Sequence, residues 1–524
     1  MGALLPLTLS GCNSDKSGNN NPGANQDEVT IAMPSSNEPA AGFDPLFNWG
    51  CGDHSHEPLI HSTLVITTPN MLFANDLATD YGVSNNGLLW TFTIRSNVRF
   101  SDGHPLTARD VAFTINGIKA SAGSSTDLSM IDQAVAKNDT TVEIFMKRPW
   151  NALLYALAVI GIVPEHAYGA GYGAKPIGSG RYLLEQWDRG QQVILRANPH
   201  YYDEAPNIQR VTVVFMEEDA ALAAVRAGQV DIAATSAVFS SQRVKGYELT
   251  AVKSADCRGI SLPVSPPGDM EAYTLKYPTS SPVTSDIAIR RALNYAIDRD
   301  LMAKNILNGY GSAAFSVADG MPWSSLDMYL KSSVETAKTV LSAGGWTPGA
   351  EGILQKNGLR ATVYLHYPAG DSLRQSLAHE FSNQARQIGI DVQVKGLSWD
   401  EIYITQHSNM VLWGWGSNSP VELYNLYHSR GSCNFSRYEN AAVDGYLEAA
   451  LATPTIEQSF SLWEKAQWDG NQGVAPQGAA SWVWLVNVDH LYFKREALDI
   501  EVQKPHPHGH GWSLLNNVDW WTWK

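Results

Sequence analysis

The sequence predicts an α/β protein of more than one lobe, and three observations carry that reading. At 524 residues the chain is longer than a single hydrophobic core usually organises. Strand-like and helix-like runs are mixed along most of its length. Hydrophobic residues make up 44% and charged residues 17%, proportions that suit a soluble folded chain.

The elements follow in order. Glu28-Val-Thr-Ile-Ala-Met33 reads as the first buried strand, and a loop-rich stretch of Pro, Asn and Gly follows it to Gly52. Residues 90–100 alternate apolar and polar side chains, as a half-buried strand should. Asp102-Gly103 and Pro105 then make a turn. Thr107 is expected to cap the next helix, with Asp110 at the third helical position and Val111, Phe113, Ile115 and Ile118 as its apolar residues. Further helices are expected over residues 218–227 and 285–308, and strands over 211–215, 361–366 and 390–395.

The net charge of −15 and the lack of any basic tract argue against a nucleic-acid partner, since phosphate binding needs clustered Lys and Arg. At the N-terminus, Leu9-Ser10-Gly11-Cys12 resembles a bacterial lipobox. Residues 1–12 then read as a signal and lipidation segment with Cys12 as the lipidated residue, and residues 13–27 as a flexible Ser/Asn/Gly-rich tether. The longest other apolar run, 152–163, is well short of the ~20 residues a spanning helix needs. These features predict a membrane-anchored lipoprotein outside the cytoplasm. Cys51, Cys257 and Cys433 allow one disulfide and one remaining thiol in any of three pairings.

Three segments together point to a family. Residues 89–113, with Ser101-Asp-Gly-His-Pro-Leu-Thr-Ala-Arg-Asp-Val111 at their centre, resemble the signature of the peptide/nickel/opine family of ABC-importer binding proteins, the family 5 extracellular solute-binding proteins. Ile289-Arg-Arg-Ala-Leu-Asn-Tyr-Ala-Ile-Asp-Arg-Asp300 resembles the family's second characteristic helix, followed by Gly309 and Gly320-Met321-Pro322. Pro176-Ile-Gly-Ser-Gly-Arg-Tyr182 and Asn198-Pro-His-Tyr-Tyr202 resemble its interdomain segment. The resemblance implies a bilobed periplasmic-binding-protein fold with an extra inserted domain and a ligand in the interlobe cleft. Lobe one would comprise residues 28–62, 176–270 and 485–524, with a second domain at 63–175 and a further lobe at 271–484 that carries a ligand wall. It also implies a monomer that closes on a small molecule and delivers it to an ABC permease and ATPase.

The ligand is argued from particular residues. Peptide binders of this family hold the ligand ammonium with an Asp after a Gly-Trp segment. Here that segment reads Trp413-Gly-Trp-Gly-Ser-Asn418, with Gly416 or Ser417 where the Asp is expected and no carboxylate before Glu422. Histidines suggest a different cargo. His54 and His56 precede Glu57-Pro-Leu59, and His506, His508 and His510 alternate in Pro505-His-Pro-His-Gly-His-Gly-Trp512. In extended backbone each set shares a face. The family brings both chain ends into one lobe, so the two sets are expected to meet as a metal site. Imidazoles suit nickel, zinc or copper, and a partial His site leaves room for a chelator such as free histidine. Trp413, Trp415, Arg181 and Tyr427 are the expected ligand-binding residues; Arg181 could clamp a carboxylate or pair with Glu185.

The expected cargo is therefore a transition-metal chelate, nickel first, with a di- or oligopeptide as the alternative. A metal-dependent hydrolase is a distant third. No His-Glu-x-x-His helix, Gly-x-Ser-x-Gly elbow or phosphate loop is present, so no enzyme is expected and no catalytic residue is assigned.

Overall fold

The computed structural model describes residues 26–47, 50–51, 54–121, 123–124, 126–266, 279–508 and 511–524. Cys12, the tether up to residue 25, and His510 lie outside the described residues, as do the side chains of Cys51 and His54.

Strands from distant parts of the chain assemble three main sheets. A seven-stranded sheet has the order Tyr182–Asp188, Gln192–Ala197, Arg210–Phe215, Glu28–Met33, Ile232–Thr235, His490–Arg495, Tyr247–Val252. The first strand, Glu28–Met33, runs parallel to both of its neighbours and is buried on both faces, which fits its nearly continuous apolar run. A six-stranded sheet has the order Gly311–Ala313, Trp482–Val488, Cys257–Ser261, Met410–Trp415, Thr362–Pro368, Asp391–Leu397. A four-stranded antiparallel sheet lies between residues 78 and 146, with helix Ala108–Ala120 against it. Its core gathers Phe92, Phe100, Ile115 and Ile144, all fully buried.

Local signals explain where several elements start and stop. Thr107 and Asp110 form a reciprocal capping box at the helix Ala108–Ala120. The helix expected over 285–308 is two helices, Ile287–Ala296 and Arg299–Ile306. The break has a local cause: Ile297 is extended, and the Asp298 side chain accepts from the Leu301 N–H to start the second helix.

The strand Cys257–Ser261 falls within the first-lobe range expected from the resemblance, 176–270. It pairs instead with Met410–Trp415 and Trp482–Val488 in the six-stranded sheet. The chain therefore crosses between the two large sheets at residues 253–256, and it crosses back at 488–490. A third segment joins these two crossings. Ala255 N donates to His506 O at 2.8 Å, His506 N to Lys253 O at 3.1 Å, and Val488 N to Asp256 O at 2.8 Å. Among the described residues no helix is long and apolar enough to cross a membrane.

Candidate functional site

The three-segment junction carries a buried charge network centred on Asp256, which is 1% exposed. Its carboxylate pairs with the Arg258 guanidinium, accepts from His508 Nδ1 at 2.5 Å and meets His490 Nε2 at 3.3 Å. His490 Nδ1 in turn faces His506 Nδ1 at 3.2 Å. Burial by itself would raise the Asp256 carboxyl. Burial is the largest single influence, but the Arg258 charge, the His508 charge and the hydrogen bonds from His490 and His508 together outweigh it, so the group is held well below the usual carboxylate range.

That ionised carboxylate fixes the proton on His508. An ionised Asp can only accept, so the bonded Nδ1 carries the hydrogen and the ring's lone pair lies on Nε2. Burial lowers the His508 imidazole from its ordinary value; Asp256 pulls the other way, while Arg258 and Arg374 reinforce the lowering. A neutral imidazole oriented by a carboxylate is the arrangement a transition metal binds.

Arg258 and Arg374 approach the same spot from a strand and from the helix Ser372–Arg386. The glycine between them is what permits this. A Cβ on Gly414 would sit 2.4 Å from Arg374 Nη2, 2.6 Å from His508 Cε1 and 3.1 Å from Arg258 Nη1. Both guanidiniums have their Nε buried without a hydrogen-bond partner among the described residues. Asp256 engages both Nη groups of Arg258, and Asp371 engages Nη1 of Arg374. Two arginines with donor capacity left over suit a carboxylate ligand.

Cavities open beside this network. One of about 450 Å³ lies between the large sheets, with Glu218, Thr235 and Ser236 on one side, Tyr310, Ser372 and Leu373 on the other, and Asp256 and Arg258 between. Another, of about 220 Å³, is lined by His56, Tyr155, residues 417–419, Pro505 and Pro507. Residues from all three sheets' lobes thus contribute to a cleft around the junction.

The expected site residues divide. His506 and His508 both join the Asp256 network, His508 directly and His506 through His490. His506 is 0% exposed, however, with its nitrogens facing His490 and Gln503, so it is a structural group rather than a ligand for cargo. His56 is buried at the 220 Å³ cavity with Nδ1 on Ser513 Oγ at 2.7 Å. The imidazoles of His56, His506 and His508 do not converge on one point. Among the described residues, the ligand atoms of Asp102, His104 and His166 form the one such group. The expected joining of the two histidine sets is therefore corrected for these three residues, because each ring is turned to a different local partner.

Three further expectations change. Arg181 does not pair with Glu185: its Nη1 donates to Asp519 Oδ1 at 2.5 Å and Asn516 O at 2.8 Å, beside a cavity of about 300 Å³ that it lines, while Glu185 pairs with Arg210. Tyr427 is buried at 2% exposure and its hydroxyl accepts from Trp484 Nε1 at 3.0 Å, which makes it core. Trp413 is also buried, donating to Ser261 Oγ and stacking on Phe435 at 4.2 Å. Trp415 is half-buried, and its Nε1 has no partner among the described residues. Glu422, the first carboxylate after the Trp-Gly segment, is turned back onto the Gly416 and Ser417 N–H groups at 3.1 and 2.7 Å. Burial pushes it up to about 7 despite those bonds. Cys257 is a buried thiol outside any disulfide.

Sequence reasoning misses Asp256, Arg258 and Arg374. They are single charges scattered over more than a hundred residues, and only Gly414, alternating with two tryptophans, signals a close approach at this place.

Residues 73–437 match the family model of bacterial extracellular solute-binding proteins, family 5 Middle. The chain belongs to this family. Protein XP55 of Streptomyces lividans is 32% identical over 437 residues, which is 80% of this chain and 76% of that protein. The oligopeptide-binding protein AppA of Bacillus subtilis is 25% identical over 557 aligned residues, 99% of this chain and 97% of that protein. The nickel-binding periplasmic protein of Escherichia coli is 27% identical over 374 residues, 65% of this chain and 69% of that protein. Among solved structures, NikZ from Campylobacter jejuni in complex with Ni(L-His) superposes with a TM-score of 0.77 at 24% identity, covering 95% of this chain and 99% of that one. AppA from Bacillus subtilis in complex with a nonapeptide gives 0.71 at 21% identity, covering 95% and 99%. These structures establish the bilobed family 5 fold. The family is one of solute-binding proteins that serve ABC importers, and its members here include both nickel and peptide binders.

Proposed function

We propose that this family 5 protein captures a transition-metal chelate, nickel first and zinc next, and delivers it to the permease and ATPase of an ABC importer. The observation that carries the reading is the Asp256–His508 couple set beside two arginines with unpartnered Nε groups. His508 would ligate the metal through Nε2. Arg258 and Arg374 would hold the carboxylate of a chelator such as free histidine, with Trp415 as a flat wall. His56, at the neighbouring cavity and in the same lobe as His508, is a further candidate ligand; His54 and His510 remain candidates beside it and beside His508. The chain would act as a monomer without catalysing a reaction, lipidated at Cys12 and held by residues 13–27 at the membrane surface. Its lobes would divide at 253–256 rather than at 270.

A peptide is the second reading. It is favoured by the AppA relative that aligns over 99% of the chain, and by a cavity of about 450 Å³. The arginine pair would then take the peptide's C-terminal carboxylate. Against it stands Glu422, whose carboxyl is occupied by two backbone N–H groups and so offers little to a ligand ammonium.

Elemental analysis and peptide mass spectrometry on one sample of purified protein separate the two. The chelate reading expects a near-stoichiometric transition metal with a small carboxylate ligand. Stoichiometric peptide without metal would replace it with the peptide reading.

A further inference from the structure

Away from the cleft, the second domain carries three metal-ligating side chains aimed at one point. His166 Nε2 lies 2.7 Å from Asp102 Oδ2, and His104 Nδ1 lies 3.3 Å from the same oxygen. The two imidazole centroids are 4.2 Å apart with their planes tilted by 36°. All three ligand atoms fall within 4.8 Å of one another. None of these residues lines either cleft cavity.

We propose that Asp102, His104 and His166 form a second, surface site for a divalent transition ion such as Zn²⁺, Ni²⁺ or Cu²⁺, independent of the cargo site. Zinc bonded at ~2.1 Å to such ligands holds neighbouring donor atoms roughly 3.4 Å apart, so the observed spacings need only small side-chain adjustments. Two imidazoles and one carboxylate favour Zn, Ni or Cu over Mg or Ca, which prefer all-oxygen sites. The remaining coordination positions face solvent, where His104 and His166 keep 63% and 34% of their side chains exposed.

The backbone beneath the ligands is held in place. Gly103 has φ +88°, which closes the turn that puts Asp102 and His104 side by side. Phe100 N donates to His104 O and Ser101 N to Gly178 O, both at 2.9 Å. The other loop is tied to the helix Ala108–Ala120, where Glu165 N donates to Asp110 Oδ1 at 3.0 Å. Asp102 Oδ1 is engaged by the His104 N–H at 3.1 Å, which orients Oδ2 toward the two rings. A bound ion would therefore cross-link the 100–104 turn to the loop that carries His166, at the expense of the protons now shared with Asp102.

Titration of the metal-stripped full chain with Zn²⁺ alone tests this. The expected result is a Zn²⁺-binding event that persists in His508→Ala and is weakened at least tenfold in His104→Gln/His166→Gln. Asp102→Asn is the second variant and should weaken the same event while circular dichroism shows an unchanged fold. Unaltered Zn²⁺ affinity and stoichiometry in both the double variant and Asp102→Asn would overturn the proposal. So would the absence of Zn²⁺ binding by the wild type at micromolar concentrations. Loss of the event in His508→Ala alone would assign it to the cleft, and the surface site would be rejected.

Discussion

Two places in this molecule set a pair of imidazoles against one carboxylate, and their surroundings make them different devices. At the lobe junction, Asp256 is buried at 1% exposure and faces Arg258, His490 and His508. On the second domain, the Asp102 side chain is 26% exposed and, among the described residues, meets the two histidines and a backbone N–H. Burial makes the first cluster rigid and charge-paired, and removing a member leaves an uncompensated charge in the interior. Solvent makes the second open and tolerant, since water can replace any lost partner. The same residue types thus serve orientation in one place and simple availability in the other.

That contrast predicts unequal costs. Asp256→Asn would leave the Arg258 guanidinium buried without its anion, and a loss of about 3–5 kcal/mol of stability is expected in urea denaturation. The wild type should also destabilise in acid for the same reason. Asp256 is held below its unfolded value, so its contribution is present above the unfolded carboxylate range and disappears as pH falls through the depressed native one.

Glu422, behind the 416–417 loop, sharpens the contrast because its shift has the opposite sign. Its native value is raised to about 7, so its contribution is complete below the unfolded value and is lost as pH rises toward 7. Between about pH 4.5 and 7 this amounts to roughly 3 kcal/mol, at 1.36 kcal/mol per unit. Glu422→Gln should flatten the stability profile over that interval; an unchanged profile would mean the carboxyl is solvated in the native state.

The smallest effect belongs to the exposed cluster. Asp102→Asn should change stability by no more than about 1 kcal/mol in the absence of metal. A cost equal to that of Asp256→Asn would erase the distinction between the two places.

Much of the fold is legible in the amino-acid order. The capping box at Thr107 and Asp110, the buried strand Glu28–Met33 and the alternation near Trp90 are local patterns, and each appears where its pattern lies. Non-local facts are harder. The break at Ile297 and Asp298 hides inside a helical apolar period, and the pairing of Cys257–Ser261 with Met410–Trp415 depends on chain crossings that no local pattern encodes. At the site, His508 is visible because the alternation of Pro505 to His508 is local. Its partners are not, since Asp256, Arg258, Arg374 and Gly414 meet only through the sheet and the helix that follows the strand Thr362–Pro368. Arg181 and Tyr427 look like ligand groups because arginine and tyrosine often are. Their partners Asp519 and Trp484 are distant in sequence: Asp519 holds the Arg181 guanidinium, and Trp484 claims Tyr427 for the core.

The central claim is that His508, oriented by Asp256 and flanked by two arginines, receives a metal chelate. Isothermal titration of metal-stripped protein with Ni²⁺ plus free histidine tests it most directly. Saturable one-to-one binding at micromolar concentrations is expected, weakened about tenfold or more in His508→Ala while that variant keeps its fold. No heat from the wild type, or equal binding by His508→Ala, would contradict it.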